Sequence, residues 1–215
     1  MIAWFGFLLA FVAGFVDTAT FVGARGVFSA HVTGNFVLFA VALTQGLREI
    51  DYLKLFLFIP FLLAIAFVSQ LNRVKSIQAR LEPYMLMLSA VLLVIPAVYF
   101  FGVSRLKDEL WDMSNLLIMF PVFAMGIQNG LYKIKTPTEA MTTVMTGNVT
   151  QFVLEIMKER SAKAFAIFKL IIGFAIGCLA AAWMVTQHSL GALLLPAVIL
   201  MALSFYRFRT TEESL

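Results

Sequence analysis

From Leu170 to Tyr206 the chain carries no Asp, Glu, Lys or Arg. A water-soluble domain cannot place so long an uncharged run, and a single membrane helix of about 20 residues cannot use it up. The polar cluster Thr186-Gln187-His188-Ser189, followed by Leu190-Gly191, supplies a turn that divides the run into two crossings. The rest of the chain agrees. Of its 215 residues 61% are apolar and 13% charged, with a mean hydropathy of +0.93. That is more apolar surface than a soluble chain of this size can bury, so an all-α integral membrane protein is expected.

A helix rising 1.5 Å per residue needs about 20 residues to cross a bilayer core of roughly 30 Å. Six segments qualify, at about 2–23, 53–72, 84–103, 115–133, 164–186 and 190–206. Trp4, Trp111 and Trp183 fall near segment ends, where indole rings anchor at headgroup level. Gly173 and Gly177 form a small-xxx-small pair that fits an intramolecular helix contact or a homodimer seam. The N-terminal run lacks a basic region and a cleavage site, and reads as a first span rather than a signal peptide. Cys178 is the one cysteine, so no disulfide framework, zinc site or redox pair is expected. The net charge of +4 and pI near 9.3 come from basic residues lying between apolar runs, which argues for membrane topology rather than nucleic-acid binding.

Two segments are too short and too polar at their starts for ordinary spans: FSAHVTGNFVLFAVAL from Phe28 and MTTVMTGNVTQFVLEIM from Met141. They read as broken or re-entrant helices, which membranes tolerate only where protein or a water-filled cavity surrounds them. They are also versions of each other. Residues 30–35 align with 143–148 at an offset of 113, and 14–17 align with 126–129 at an offset of 112. Ile95-Pro96-Ala97-Val98 aligns with Leu195-Pro196-Ala197-Val198 at an offset of 100, as expected if the second half nearly lacks the 73–82 loop. The chain therefore reads as two homologous membrane repeats, 1–110 and 111–215, forming one membrane domain.

If the TGN segments do not cross, each half has three spans and the second is inverted. If they cross, each half has four and the repeats are parallel. With six spans, ten Lys/Arg lie on the side of the termini and five on the other; with eight the split is nine to six. Lys169 is left within a span either way. Both place the termini in the cytoplasm, and the sharper bias favours six spans with inverted repeats and re-entrant segments.

These motifs carry a family resemblance over essentially the whole chain. The carriers are Gly14 and Asp17, then Gly26, Phe28, Ser29, His31, Thr33, Gly34 and Asn35. In the second half they are Ala124-Met125-Gly126, Gln128-Asn129, Thr142-Thr143 and Thr146-Gly147-Asn148. The chain resembles the YoaK-like family of bacterial inner-membrane proteins, a domain-of-unknown-function family. The resemblance implies an inner-membrane location, about six spans and small-molecule transport without an assigned substrate.

Asp17 is the costliest residue, a carboxylate inside an uncharged span, and such residues mark function unless paired. It reads either as a proton-coupling group or as a structural cap on the segment that follows, or paired to Arg25. Its repeat partner Asn129 cannot titrate. In each TGN motif, Thr33 and Thr146 read as caps or ligand contacts, with Gly34 and Gly147 for close approach and Asn35 and Asn148 as hydrogen-bonding side chains. His31 reads as a titrating group or as hydrogen-bonding glue, and Gln128 as a cavity liner beside Asn129. Glu155 and Lys169 are expected to snorkel to the interface.

The leading functional expectation is a small-solute transporter of the bacterial inner membrane, with a site between the two TGN segments. Its partners are then the lipid bilayer and an unidentified solute. A channel or accessory subunit is the alternative. No HExxH pair, nucleophile elbow or metal cluster is present in the sequence, so an enzyme is the weakest reading and no cofactor is expected.

Overall fold

The computed structural model describes residues 3–46, 49–103, 116–137 and 139–212. The first half contains α1 (Ala3–Gly23), α2 (Val32–Gln45), α3 (Glu49–Phe56), α4 (Phe58–Asn72), the short α5 (Lys75–Gln78) and α6 (Leu81–Val103). The second contains α7 (Met119–Lys135), α8 (Met145–Met157), α9 (Ser161–His188), a 3₁₀ turn (Ser189–Leu193) and α10 (Leu194–Glu212). No strand occurs among the described residues. Trp111 lies outside them.

Among the described residues, four stretches are long and apolar enough to cross a membrane: Trp4–Gly23, Tyr52–Asn72, Leu81–Phe100 and Ser161–Glu212. The last comprises α9 and α10, divided by the 3₁₀ turn close to where the polar cluster requires a break. The second is interrupted at Leu57, because Pro60 has no N–H for the carbonyl of Phe56. The outer faces are apolar: Trp4, Leu179 and Trp183 are 72%, 73% and 69% exposed. A soluble protein hides such residues, and here they form the surface offered to lipid.

Glycines set the central contact, α1 against α9. A methyl built on Gly173 would lie 2.7 Å from the Phe7 carbonyl oxygen, and one on Gly177 would collide with the Phe11 carbonyl. The small-xxx-small pair is thus used within the chain. Contacts advance together along both helices, from Gly6 on Leu170 to Gly23 on Val185, so α1 and α9 run the same way. In α7, Gly126 meets Phe61 and Ala64 of α4, and Gly130 meets Ile65.

Other pairs run oppositely. Gln128 of α7 reaches the Leu9 carbonyl of α1, while Tyr132 faces Gly6. Where α6 begins and α10 ends, Arg80 approaches Glu212, and the Tyr84 and Phe208 rings are 5.2 Å apart. The α8–α9 pair is antiparallel too, with Phe152 stacked on Phe168 and Glu155 on Lys163. Phe36 meets Phe58 and Phe39 meets Tyr52, so α2 opposes α3 and α4. Following these directions round the bundle, each short helix runs parallel to the long helix before it. The chain doubles back in between.

Candidate functional site

The doubling back is held by polar side chains six residues before the end of α1 and of α7. At 1.5 Å per residue, the following loop is drawn about 9 Å back along the helix that precedes it. In the first half the holder is Asp17, 4% exposed. Its Oδ1 accepts the backbone N–H of Ala30 at 2.6 Å and of His31 at 3.2 Å. Its Oδ2 lies 2.6 Å from His31 Nδ1. In the second half Asn129 donates to Thr143 Oγ1 at 2.7 Å.

The carboxylate is therefore matched by two amides and an imidazole, the arrangement a buried charge requires. The His31 side chain is 34% exposed and that of Asp17 5%, so His31 stands between Asp17 and the exterior. Its ring also contacts Phe174 of α9, with centroids 5.5 Å apart. Beside the carboxylate, Ser29 donates to Thr20 Oγ1, which lies 3.1 Å from both the Val16 and Asp17 carbonyls. This Thr20–Ser29 link is legible only once the loop is known to fold back.

The asparagines of the TGN motifs tie the loops to themselves. Asn35 Oδ1 accepts from Phe28 N–H at 2.9 Å, and its Nδ2 donates to Phe28 O at 2.8 Å. Asn148 Nδ2 donates to Met141 O at 2.6 Å. Each bond spans seven residues and closes the loop just before its helix. Thr33 and Thr146, by contrast, are exposed and make no cap to their helices. A methyl on Gly34 would meet the Phe28 ring at 3.0 Å, whereas at Gly147 the nearest atom is 3.8 Å away. Only the first glycine is required by packing.

Gln128 is 2% exposed. Its Nε2 donates to Leu9 O at 2.9 Å and to Thr142 Oγ1 at 3.2 Å, while Oε1 has no partner. Among the described residues, no hydrogen bond joins the two TGN loops to each other. Nor is any group of three or more His, Cys, Asp or Glu gathered there as metal ligands would be.

Two charged residues depart from expectation. Glu155 does not snorkel; it is 4% exposed and takes Lys163 at 3.2 Å and Arg160 at 3.7 Å, tying the end of α8 to the start of α9. Glu82, which drew no attention in the sequence, is buried and paired with Arg207. Arg207 also covers the Phe5 ring at 5.1 Å. Lys169 lies over Phe165 at 4.4 Å.

Apolar helices of spanning length and an outward-facing apolar surface define a helical membrane protein with buried polar ties inside. The chain belongs to the family described as Protein of unknown function (DUF1275), whose model matches residues 5–206. No curated protein and no solved structure matches it.

Proposed function

We propose that this chain is a small-solute transporter of the bacterial inner membrane. It is built from two inverted halves with six crossings, both termini cytoplasmic, and α2 and α8 re-entrant. One observation carries the reading: the glycine contacts are reciprocal. Gly14 lies against Phe174, and Gly126 against Phe61. Adding the repeat offset of 112 or 113 turns each first-half member into its second-half counterpart, Gly14 into Gly126 and Phe61 into Phe174. Each half thus inserts its first helix against the other half's third.

Helix directions support inversion over parallel repeats. Parallel halves with four crossings each would make α1 and α7 run the same way, and α6 and α10 likewise. Both pairs are antiparallel. A loop drawn about 9 Å back along the preceding helix, followed by a short helix leaving the same way, is also the re-entrant form that lines transport sites.

Asp17 is the coupling residue in this reading. Proton uptake at the Asp17–His31 pair is the coupling event, acting on the hold over the Ala30 and His31 amides that keeps the first loop in place. Asn129, holding Thr143, gives the second half the same tie without the titration. That asymmetry suits a single proton per cycle.

Topology is the test. In a Cys178→Ala background, single cysteines at Ser76, Gln45 and Glu212 are labelled with a membrane-impermeant maleimide in intact and permeabilised cells. Inverted halves put Ser76 and Glu212 on one side and Gln45 on the other. If Ser76 shares its side with neither terminus, the reading fails.

A further inference from the structure

This inference rests on the inverted-repeat reading and adds from which end the interior is reached. A cleft between α1, α6 and α7 is lined by Phe5, Leu9, Glu82, Gln128, Tyr132 and Lys135. Its free volume is about 10 Å³, room for one water molecule. Polar groups rim its outer part. Glu82 is paired with Arg207, Lys135 donates to Gln78 O, and Tyr132 donates to Glu139. Gln128, with the unpartnered Oε1, lines it one turn further along α7. The amide cannot be turned round to satisfy that atom, because the Leu9 carbonyl facing the other end of the amide only accepts.

The equivalent space at the opposite end is filled. One repeat back, Gln128, Leu131, Tyr132 and Lys135 correspond to Val16, Ala19, Thr20 and Gly23. There the 3₁₀ turn packs in: a methyl on Gly23 would meet Leu190 Cδ2 at 2.8 Å, and Leu190 and Leu193 are fully buried. Among the described residues, the turn fills one end while the cleft at the other has room for a water.

We infer that the α1–α6–α7 cleft is a narrow vestibule with room for one water, reached from the end bearing the termini, with Gln128 Oε1 binding that water. The Ser189–Leu193 turn is the closed gate at the other end.

The test is thiol labelling in a Cys178→Ala background, using right-side-out and inverted membrane vesicles and a small membrane-impermeant methanethiosulfonate. Leu131 and Leu86 also line the cleft, so Leu131→Cys probes the vestibule from α7 and Leu86→Cys from α6, while Ala19→Cys probes the plugged end. The first two are expected to react only from the side of the termini, and Ala19→Cys from neither. Adding Gln128→Leu, which keeps the bulk and removes the acceptor, is expected to abolish labelling at Leu131→Cys. Adding Leu190→Ala is expected to expose Ala19→Cys to the far side. Size-exclusion profiles and total thiol after denaturation identify any variant that fails to fold.

Absence of labelling at both vestibule positions in folded protein overturns the inference, as does equal labelling from both sides. Unchanged labelling with Gln128→Leu removes the water-binding role. If Ser76 and Gln45 still report inverted halves, only this inference falls and the transporter reading stands.

Discussion

Asn35 closes on Phe28 through both ends of its amide, accepting from the Phe28 N–H and donating to the Phe28 carbonyl. The side chain takes the place of a peptide group, which only a carboxamide does at both ends. Asn35→Asp keeps the acceptor and loses the donor; Asn35→Leu loses both. Each Phe28 group left without a partner costs about 1–3 kcal/mol. Thermal unfolding in detergent is therefore expected to rank wild type above Asn35→Asp above Asn35→Leu.

The glycines separate by what their missing side chains would meet. At Gly177 and Gly126 a methyl group runs into backbone of the facing helix, which cannot swing aside. Alanine there is expected to cost about 1–3 kcal/mol. At Gly147 the nearest atom is at ordinary contact distance, so alanine is expected to be neutral or stabilising by about 0.5–1 kcal/mol. Unfolding midpoints of the three variants check the order. Equal losses at all three positions would falsify the packing account.

Asp17→Asn and Asp17→Ala separate clamp from charge. Asparagine retains an oxygen for the Ala30 N–H and cannot titrate. Alanine leaves the Ala30 and His31 amides without their acceptor, at about 1–3 kcal/mol each. The expected pattern is a stable Asp17→Asn protein and an unstable Asp17→Ala protein. In proteoliposomes holding a pH-sensitive dye, proton movement driven by an imposed pH gradient is expected to be lost in Asp17→Asn. Proton movement equal to wild type in that variant assigns Asp17 a purely structural part.

Glu82 and Arg207 call for a double-mutant cycle. Arg207→Met strands a buried carboxylate, at an expected cost of about 3 kcal/mol. Adding Glu82→Gln to Arg207→Met removes the stranded charge and is expected to recover most of the loss. Urea or thermal midpoints in one detergent read the four corners of the cycle.

The long helices are legible because spanning length and low charge admit few other structures. Even there, the 53–72 segment hides a break at Leu57 that depends on one missing N–H at Pro60. The TGN motifs stand out in the sequence as similar to each other, but their geometry is not legible there. Thr33 and Asn35 are two residues apart, about 200° round a helix. The side that faces inward therefore carries Asn35 and not Thr33, and only the fold says which side that is. Glu155 defeats sequence reasoning for a similar reason. A carboxylate near a helix end reads as solvent-seeking until Lys163 and Arg160 of the next helix are seen to enclose it.

The contact of α1 with α9 also governs how the protein is made. α1 leaves the ribosome well before α9, the helix it lies against. Until then its glycine-lined face has lipid, or another passing helix, for company. Long-range contacts of this kind delay the committed step of assembly. Neither half, synthesised alone, would have the surface against which its own first helix is shaped. Supplied as two separate chains, the halves would have to find each other in the bilayer before either became a finished structure.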